Sequence, residues 1–240
     1  MNINVDNKLD ANRKFGLTNN QLKIIAMLTM LIDHVGLSLF PSVIALRVIG
    51  RISFPIFAYM IAEGCLYTRN RIKYLLSIFS LGALCQLVYF IAERSMYQNI
   101  LLAFSFSILA IFSLDLIIKG KRARLIALGT LGFVVSAFVS LVLPLLLKKQ
   151  GFMFDYGEYA FILPIIIYYM PNKWWKIGAM AIILSYRAYV SGWIHWFTLI
   201  PVALLTLYNG KRGKLRLKYM FYLFYPLHLV VIYLISLIVS

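Results

Sequence analysis

Residues 22–68 read LKIIAMLTMLIDHVGLSLFPSVIALRVIGRISFPIFAYMIAEGCLYT. Two apolar runs, joined at Phe40-Pro41-Ser42, predict a pair of antiparallel membrane helices. Into them the sequence places Asp33, His34, Arg47, Arg51 and Glu63. Each charge near the centre of a bilayer costs about 2.5–3.5 kcal/mol even on the lenient scale. Such residues are tolerated where they face a protein interior or a wet cavity, so the stretch predicts a polar site inside a membrane protein.

Composition agrees. Of 240 residues 62% are hydrophobic and 13% charged, where a soluble domain carries about 25% charged residues. Apolar windows lie near 22–40, 47–67, 74–92, 100–118, 124–147, 159–170, 175–190, 194–208 and 219–239. The fold class is therefore an all-α, polytopic bundle of about nine transmembrane helices. Strand-length alternation of the outer-membrane-barrel kind is absent. Residues 1–21 form a polar tail without the apolar core of a signal peptide, and 22–240 form one transmembrane domain. The short window at 159–170 carries Pro164 and is open to a tilted or re-entrant reading.

The net charge of +16 does not point to nucleic acid, because no basic module stands outside the apolar segments. The basic residues collect instead in short loops. Eighteen of the 24 fall on the side of the N-terminus; Arg94, Lys148, Lys149 and Arg187 fall opposite, and Arg47 and Arg51 lie within the second helix. That bias predicts a cytoplasmic N-terminus, an outer C-terminus and an odd number of spans. Cys65 and Cys85 sit at different depths in apolar segments, too far apart for a disulfide, and read as small buried hydrophobes. No internal repeat of the transporter kind is visible.

Asp33 and His34 diverge by about 100° around their helix, whereas Arg47 and Arg51 share a face. The short turn brings the Asp33/His34 level and the Arg51 level to similar depth. Such a group can do specific chemistry. A histidine can take a proton from an amine or hydroxyl nucleophile, a carboxylate can fix its tautomer, and arginines can hold phosphate or an oxyanion. The plainer reading is an Asp33–Arg51 pair that merely neutralises two misfit charges, with His34 as interhelical glue.

The last helix, KYMFYLFYPLHLVVIYL, sets Tyr219, Tyr222, Tyr225 and His228 along one face, with Pro226 between them;. Gln86 and Asn99 read as hydrogen-bonding glue or site lining. Glu63 reads as a partner of Arg69 or Lys73, and Asp115 as a local ion pair with Lys119 or Lys121. Asp155 and Tyr156, in an outer loop, read as a receiver of an amine-bearing acceptor or as a plain solvated turn. His195, between Trp193 and Trp196, reads as interfacial, and Trp174-Trp175 as an interfacial anchor. No zinc spacing, P-loop, nucleophile elbow or nucleotide fingerprint is present.

LKIIAMLTMLIDHVG (22–36), RVIGRISFPIFAYMIAEG (47–64) and Tyr67-Thr68 resemble the N-terminal signature of TraX proteins. FYLFYPLHL (221–229) resembles the family's C-terminal signature and Phe154-Asp155-Tyr156-Gly157 its central one. The resemblance implies N-acetylation of conjugative pilin and likeness to a wider superfamily of transmembrane acyltransferases. That superfamily includes the lysosomal heparan glucosaminide N-acetyltransferase, and its members pass an acyl group from cytoplasmic acyl-CoA to an acceptor on the far side.

Carried onto this chain, the resemblance implies a multi-pass bacterial cytoplasmic-membrane acetyltransferase with acetyl-CoA as donor and no metal. Asp33, His34, Arg47, Arg51 and His228 form the core. His34 is the base, oriented by Asp33. Arg51, with Arg47, holds the thioester carbonyl or a CoA phosphate, and His228 with Tyr225 completes an oxyanion site or relays a proton. Tyr222, Gln86, Asn99, Asp155 and Tyr156 line the substrate path. Direct transfer and an acetyl-histidine relay both stay open. Expected partners are acyl-CoA, membrane lipid and an outer-face acceptor, a protein such as pilin, a glycan or a lipid; the oligomeric state is unassigned. Two rival functions use the same residues: an anion or small-metabolite transporter, and a non-enzymatic assembly factor for pili.

Overall fold

The computed structural model describes residues 16–213 and 218–239, with only the backbone of 218, 219 and 239. The expected Tyr219 side chain, and loop bases such as Lys8, Arg13, Lys14, Lys214 and Arg216, lie outside the described residues. Among the described residues every regular element is helical. Two isolated bridges, Leu17 with Tyr208 and Gln98 with Phe154, are the exceptions.

Each of the nine apolar windows coincides with helix. Six helices are long and apolar enough to cross a membrane: Asn19–Ser38, Ile44–Tyr67, Arg71–Glu93, Ile100–Lys119, Ala123–Leu146 and Met220–Ile238. Glu158–Tyr169 and Trp193–Thr206 are apolar but shorter. The helix Lys173–Ser191 has the length, yet carries Lys173, Lys176 and Arg187.

The chain packs as two compact units that interleave in sequence. One contains Met1–Met60, Asn172–Phe221 and Ser236–Ser240, the other Ile61–Pro171 and Tyr222–Ile235.

In the first unit α1 (Asn19–Ser38) begins with a capping box, Thr18 and Gln21 each accepting from the other's backbone N–H;. It therefore starts earlier than the Leu22 expected from hydropathy. The turn at Phe40-Pro41-Ser42 forms as expected and leads into α2 (Ile44–Gly50). α1 and α2 approach closely where glycine replaces a side chain: Gly36 lies against Leu46, and Gly50 against Asp33. After a break at Arg51 and Ile52 the chain resumes as α3 (Ser53–Tyr67), which belongs to this unit as far as Met60 and whose Ser53 hydroxyl donates to the Gly50 carbonyl at 2.9 Å.

In the second unit α4 (Arg71–Glu93) is followed by α5 (Ile100–Lys119), the most buried helix of that unit. α5 packs against α4, against α6 (Ala123–Leu146, which passes through a π turn at Phe138–Val142) and against α7 (Glu158–Tyr169). Pro164 lacks the N–H that would bond the Ala160 carbonyl. Ser107 Oγ of α5 fills that place, 3.1 Å from Ala160 O and 2.9 Å from Phe161 O. Cys65 and Cys85, both in this unit, are free and buried.

Returning to the first unit, α8 (Lys173–Ser191) is N-capped by Asn172. A 3-10 segment (Trp193–Leu199) and α9 (Ile200–Thr206) follow. α10 (Lys218–Val239) runs unbroken through Pro226, and its stretch Tyr222–Ile235 belongs to the second unit.

Candidate intramembrane charged site

Asp33 on α1 is the hub of the first unit's charge. Arg47 Nη1 donates to Asp33 Oδ2 at 2.8 Å, and Arg51 Nη2 donates to Oδ1 at 3.1 Å. Arg47 Nη1 also lies 3.3 Å from the Asp33 carbonyl oxygen, and Arg51 Nε donates to the Arg47 carbonyl at 3.2 Å. The four-residue spacing puts both guanidiniums on one face, and Gly50 lets the carboxylate come against the α2 backbone between them;. Arg51 is 7% exposed, so its charge is met by Asp33 rather than by solvent, whereas the Arg47 side chain stays 27% exposed;.

The expected meeting of Asp33, Arg47 and Arg51 is therefore observed. His34, half-buried, follows Asp33 on α1. Because each Asp33 oxygen already accepts from a guanidinium, the carboxylate is committed to the arginines.

Two further residues of this unit lie elsewhere than the sequence reading placed them. Arg187 lies on the buried face of α8 with Met180, Leu184 and Ala188 and is 8% exposed. It is a helix residue, not the loop base counted in the charge bias. Its guanidinium stands 6.0 Å from the centre of the Phe54 ring. His195 lies on the 3-10 segment, which packs on both α8 and α2. The signal for Arg187 was available: it repeats with Lys176, Met180 and Leu184 at helical spacing.

The second unit holds a polar network at the start of α5. Asn99 caps that helix, accepting from the N–H of Leu101 and Leu102, and donates to the Gly82 carbonyl at 2.8 Å and to Gln86 Oε1 at 3.0 Å. Gln86 Nε2 donates to the Tyr97 carbonyl at 2.8 Å, and Tyr97 OH donates to Asp155 Oδ1 at 3.1 Å. Asp155 N–H bonds the Gln98 carbonyl at 2.9 Å. Tyr156 is buried and takes a positive φ of 62°. The stretch 154–157 is thus a pinned turn, not a solvated loop.

On α10, His228 is 5% exposed, stacked on Phe224 and edge-on to Tyr225, which is also buried. Its Nδ1 lies 2.8 Å from the Phe224 carbonyl. In the tautomer that donates there, Nε2 keeps its lone pair. Tyr222 is half-buried on the same helix.

The second unit also contains a charged group that the site expectations omitted. Asp115, 2% exposed, accepts from Lys119 at 2.7 Å, from Arg71 at 2.5 Å and from Tyr168 OH at 2.7 Å. The Lys119 pair was legible as an i, i+4 step; the Arg71 and Tyr168 contacts span 44 and 53 residues and were not.

Six helices long and apolar enough to cross a membrane, two of them joined by paired charges, indicate the class: a polytopic helical membrane protein. Within that class the chain belongs to the TraX protein family, whose model matches residues 18–236. It is 27% identical over 240 residues, 88% of this chain and 93% of the other, to a probable fimbrial assembly protein FimC, serogroup H1, of Dichelobacter nodosus. It is 48% identical over 44 residues, 18% of each chain, to the uncharacterized protein RP591 of Rickettsia prowazekii (strain Madrid E). No solved structure matches it.

Proposed function

We propose that this protein is a membrane acyltransferase. It takes an acetyl group from cytoplasmic acetyl-CoA and passes it to an amine or hydroxyl acceptor at the outer face of the bacterial cytoplasmic membrane. The observation that carries the reading is the Asp33–Arg47–Arg51 cluster on the hairpin whose first helix carries His34 one residue on in sequence. Charges this costly in a membrane are retained where they act on a ligand.

In this reading His34 removes a proton from the acceptor as its nitrogen or oxygen bonds to the thioester carbonyl carbon. The C–S bond then breaks, CoA leaves as its thiolate, and the proton on His34 neutralises it. Arg51 stabilises the oxyanion that forms in between. Asp33 holds the two guanidiniums in register, a role that replaces the expected orientation of His34. Taken by itself, the second unit's His228, with Nε2 as acceptor, keeps the expected role of proton relay with Tyr225, and Tyr222, Tyr156, Asp155, Gln86 and Asn99 of that unit keep theirs in lining an acceptor path. The shorter helices complete an odd number of spans, with the N-terminus cytoplasmic and the C-terminus outside.

The decisive experiment is acetyl-CoA binding and acetyl transfer by the detergent-purified protein, beside His34→Ala and Arg51→Ala. The expected result is wild-type turnover that falls at least a hundredfold in folded His34→Ala. A folded wild type that binds no acyl-CoA overturns the reading. Likeness to a probable fimbrial assembly protein favours one rival, an assembly factor without chemistry. That reading requires pilus assembly to survive His34→Ala.

A further inference from the structure

α4 meets the rest of the second unit along one face. The Tyr74 phenol lies against Gly64, Gly82 lies against the Leu101–Leu102 backbone, and Ile78 and Cys85 are buried on the same side. Beside that face, at the end where the helix begins, runs an open groove of about 450 Å³. It is lined by Asn70, Ile72, Lys73, Leu76, Ser77 and Ser80. Asn70, Lys73, Ser77 and Ser80 follow one another at helical spacing, so they form a polar stripe on a helix that is otherwise apolar;.

Charge at this end of the unit is unevenly matched. Arg71 and Lys119 are both committed to Asp115. Lys73 is exposed, and among the described residues no carboxylate pairs with it. The hydroxyls reach further into the membrane than a headgroup layer does. A rise of 1.5 Å per residue sets Ser80 about 10 Å deeper than Lys73, whereas the headgroup layer of one leaflet is about 5–7 Å thick. Ser77 Oγ donates to the Lys73 carbonyl at 2.7 Å, but Ser80 Oγ reaches the Ser77 carbonyl only at 3.4 Å.

We infer that this groove binds one anionic membrane phospholipid. Lys73 takes the phosphate. Asn70 Oδ1 accepts from the Lys73 N–H at 2.8 Å, which turns the donor end of its amide to the same ligand;. Ser77 and Ser80 stand at the level of the ester carbonyls, and the long Ser80 contact exchanges readily for a donation to one of them. Ile72 and Leu76, 72% and 57% exposed, lie along the start of an acyl chain. Charge selects this occupant: an unpaired ammonium at the edge of a bilayer attracts anionic headgroups. Hydroxyls below it suit an ester-linked lipid better than a wholly apolar neighbour. The site uses α4 alone and does not depend on acyl transfer.

The test is native mass spectrometry of the full-length protein, delipidated in detergent and titrated with phosphatidylglycerol or with phosphatidylcholine of the same acyl chains. A single phosphatidylglycerol is expected to bind in preference to phosphatidylcholine. Lys73→Gln should weaken it about fivefold, the contribution of one basic residue at an anionic surface. Ser77→Ala with Ser80→Ala should weaken both lipids alike, because the ester carbonyls are common to them. Arg124→Gln, at an exposed base outside the groove, should change neither. Equal binding of the two lipids by the wild type overturns the proposal. So do equal losses in Lys73→Gln and Arg124→Gln, which would assign the attraction to the basic surface as a whole. A wild type that retains no lipid and forms a dimer that Lys73→Gln dissociates gives the groove to a second copy of the chain, and also overturns it. Equal melting temperatures without lipid check that the variants keep the fold. Acetyl-CoA is absent throughout, so the result is independent of whether the acyltransferase reading stands.

Discussion

Gly50 lies so close to Asp33 that a Cβ at position 50 would overlap the carboxylate itself. The ion pairs of Asp33 with Arg47 and Arg51 thus depend on the absence of a single methyl group from α2. In Gly50→Ala the carboxylate must leave its place between the guanidiniums, or α1 must move from α2. The expected cost is about 1–3 kcal/mol. Gly178→Ala, at a helical glycine with nothing within 4 Å, should instead stabilise by up to about 1 kcal/mol. Melting temperatures of both variants in one detergent check the contrast; equal shifts would disprove the close approach.

Asp33→Asn removes the counter-charge and leaves Arg51 buried. Breaking a buried pair from one side costs about 3–5 kcal/mol. The double variant Asp33→Asn with Arg51→Met should recover part of that loss, since it removes both charges. Unfolding free energies of the two variants measure this, and no recovery in the double variant would show that the pair is not the source of the cost.

Asp115→Asn should be milder, although Asp115 is the more buried carboxylate. Its partners Arg71 and Lys119 are 44% and 63% exposed in their side chains, so neither is stranded when the charge goes. The remaining amide oxygen can still accept from buried Tyr168, so the loss is the charge-assisted strength of these contacts, about 1–3 kcal/mol. A larger destabilisation than that of Asp33→Asn would contradict this ordering.

Burial first, and then the Asp155 carboxylate beside it, push the Tyr97 phenol well above its usual range. An unfolded tyrosine ionises near pH ~10. The proton is therefore held more tightly in the folded chain. The stabilisation this gives is full below pH ~10 and declines as pH rises past it, because the unfolded state releases its proton first. Tyr97→Phe should flatten that alkaline decline and loosen the turn at Asp155. Thermal melts between pH 8 and 11 check it; unchanged slopes would show that Tyr97 ionises normally.

Hydropathy located the six helices long and apolar enough to cross a membrane, because a span of about 20 apolar residues needs no tertiary information to be recognised. The Asp33–Arg47–Arg51 contacts were legible for a related reason: a short turn and a four-residue step bring them level. Contacts that close over long sequence separations were hidden. Arg71 with Asp115 and Tyr97 with Asp155 join helices or loops whose pairing no local period announces. Arg187 was misread because an arginine near a helix end looks like a loop base until its register with Leu184 and Met180 is considered. The start of α1 was set by the Thr18–Gln21 cap, which polarity alone placed in the tail.

The Asp33 pairs close over only 14 and 18 residues, whereas Arg187 and His195 enter the same unit after an excursion through residues 61–171. During synthesis the first hairpin can consequently neutralise its own carboxylate as soon as α2 has emerged, before most of the chain exists. A nascent hairpin already matched in this way presents the insertion machinery with far less uncompensated charge than its sequence suggests. The remaining positive charge arrives late, when a partly assembled bundle is there to shelter it.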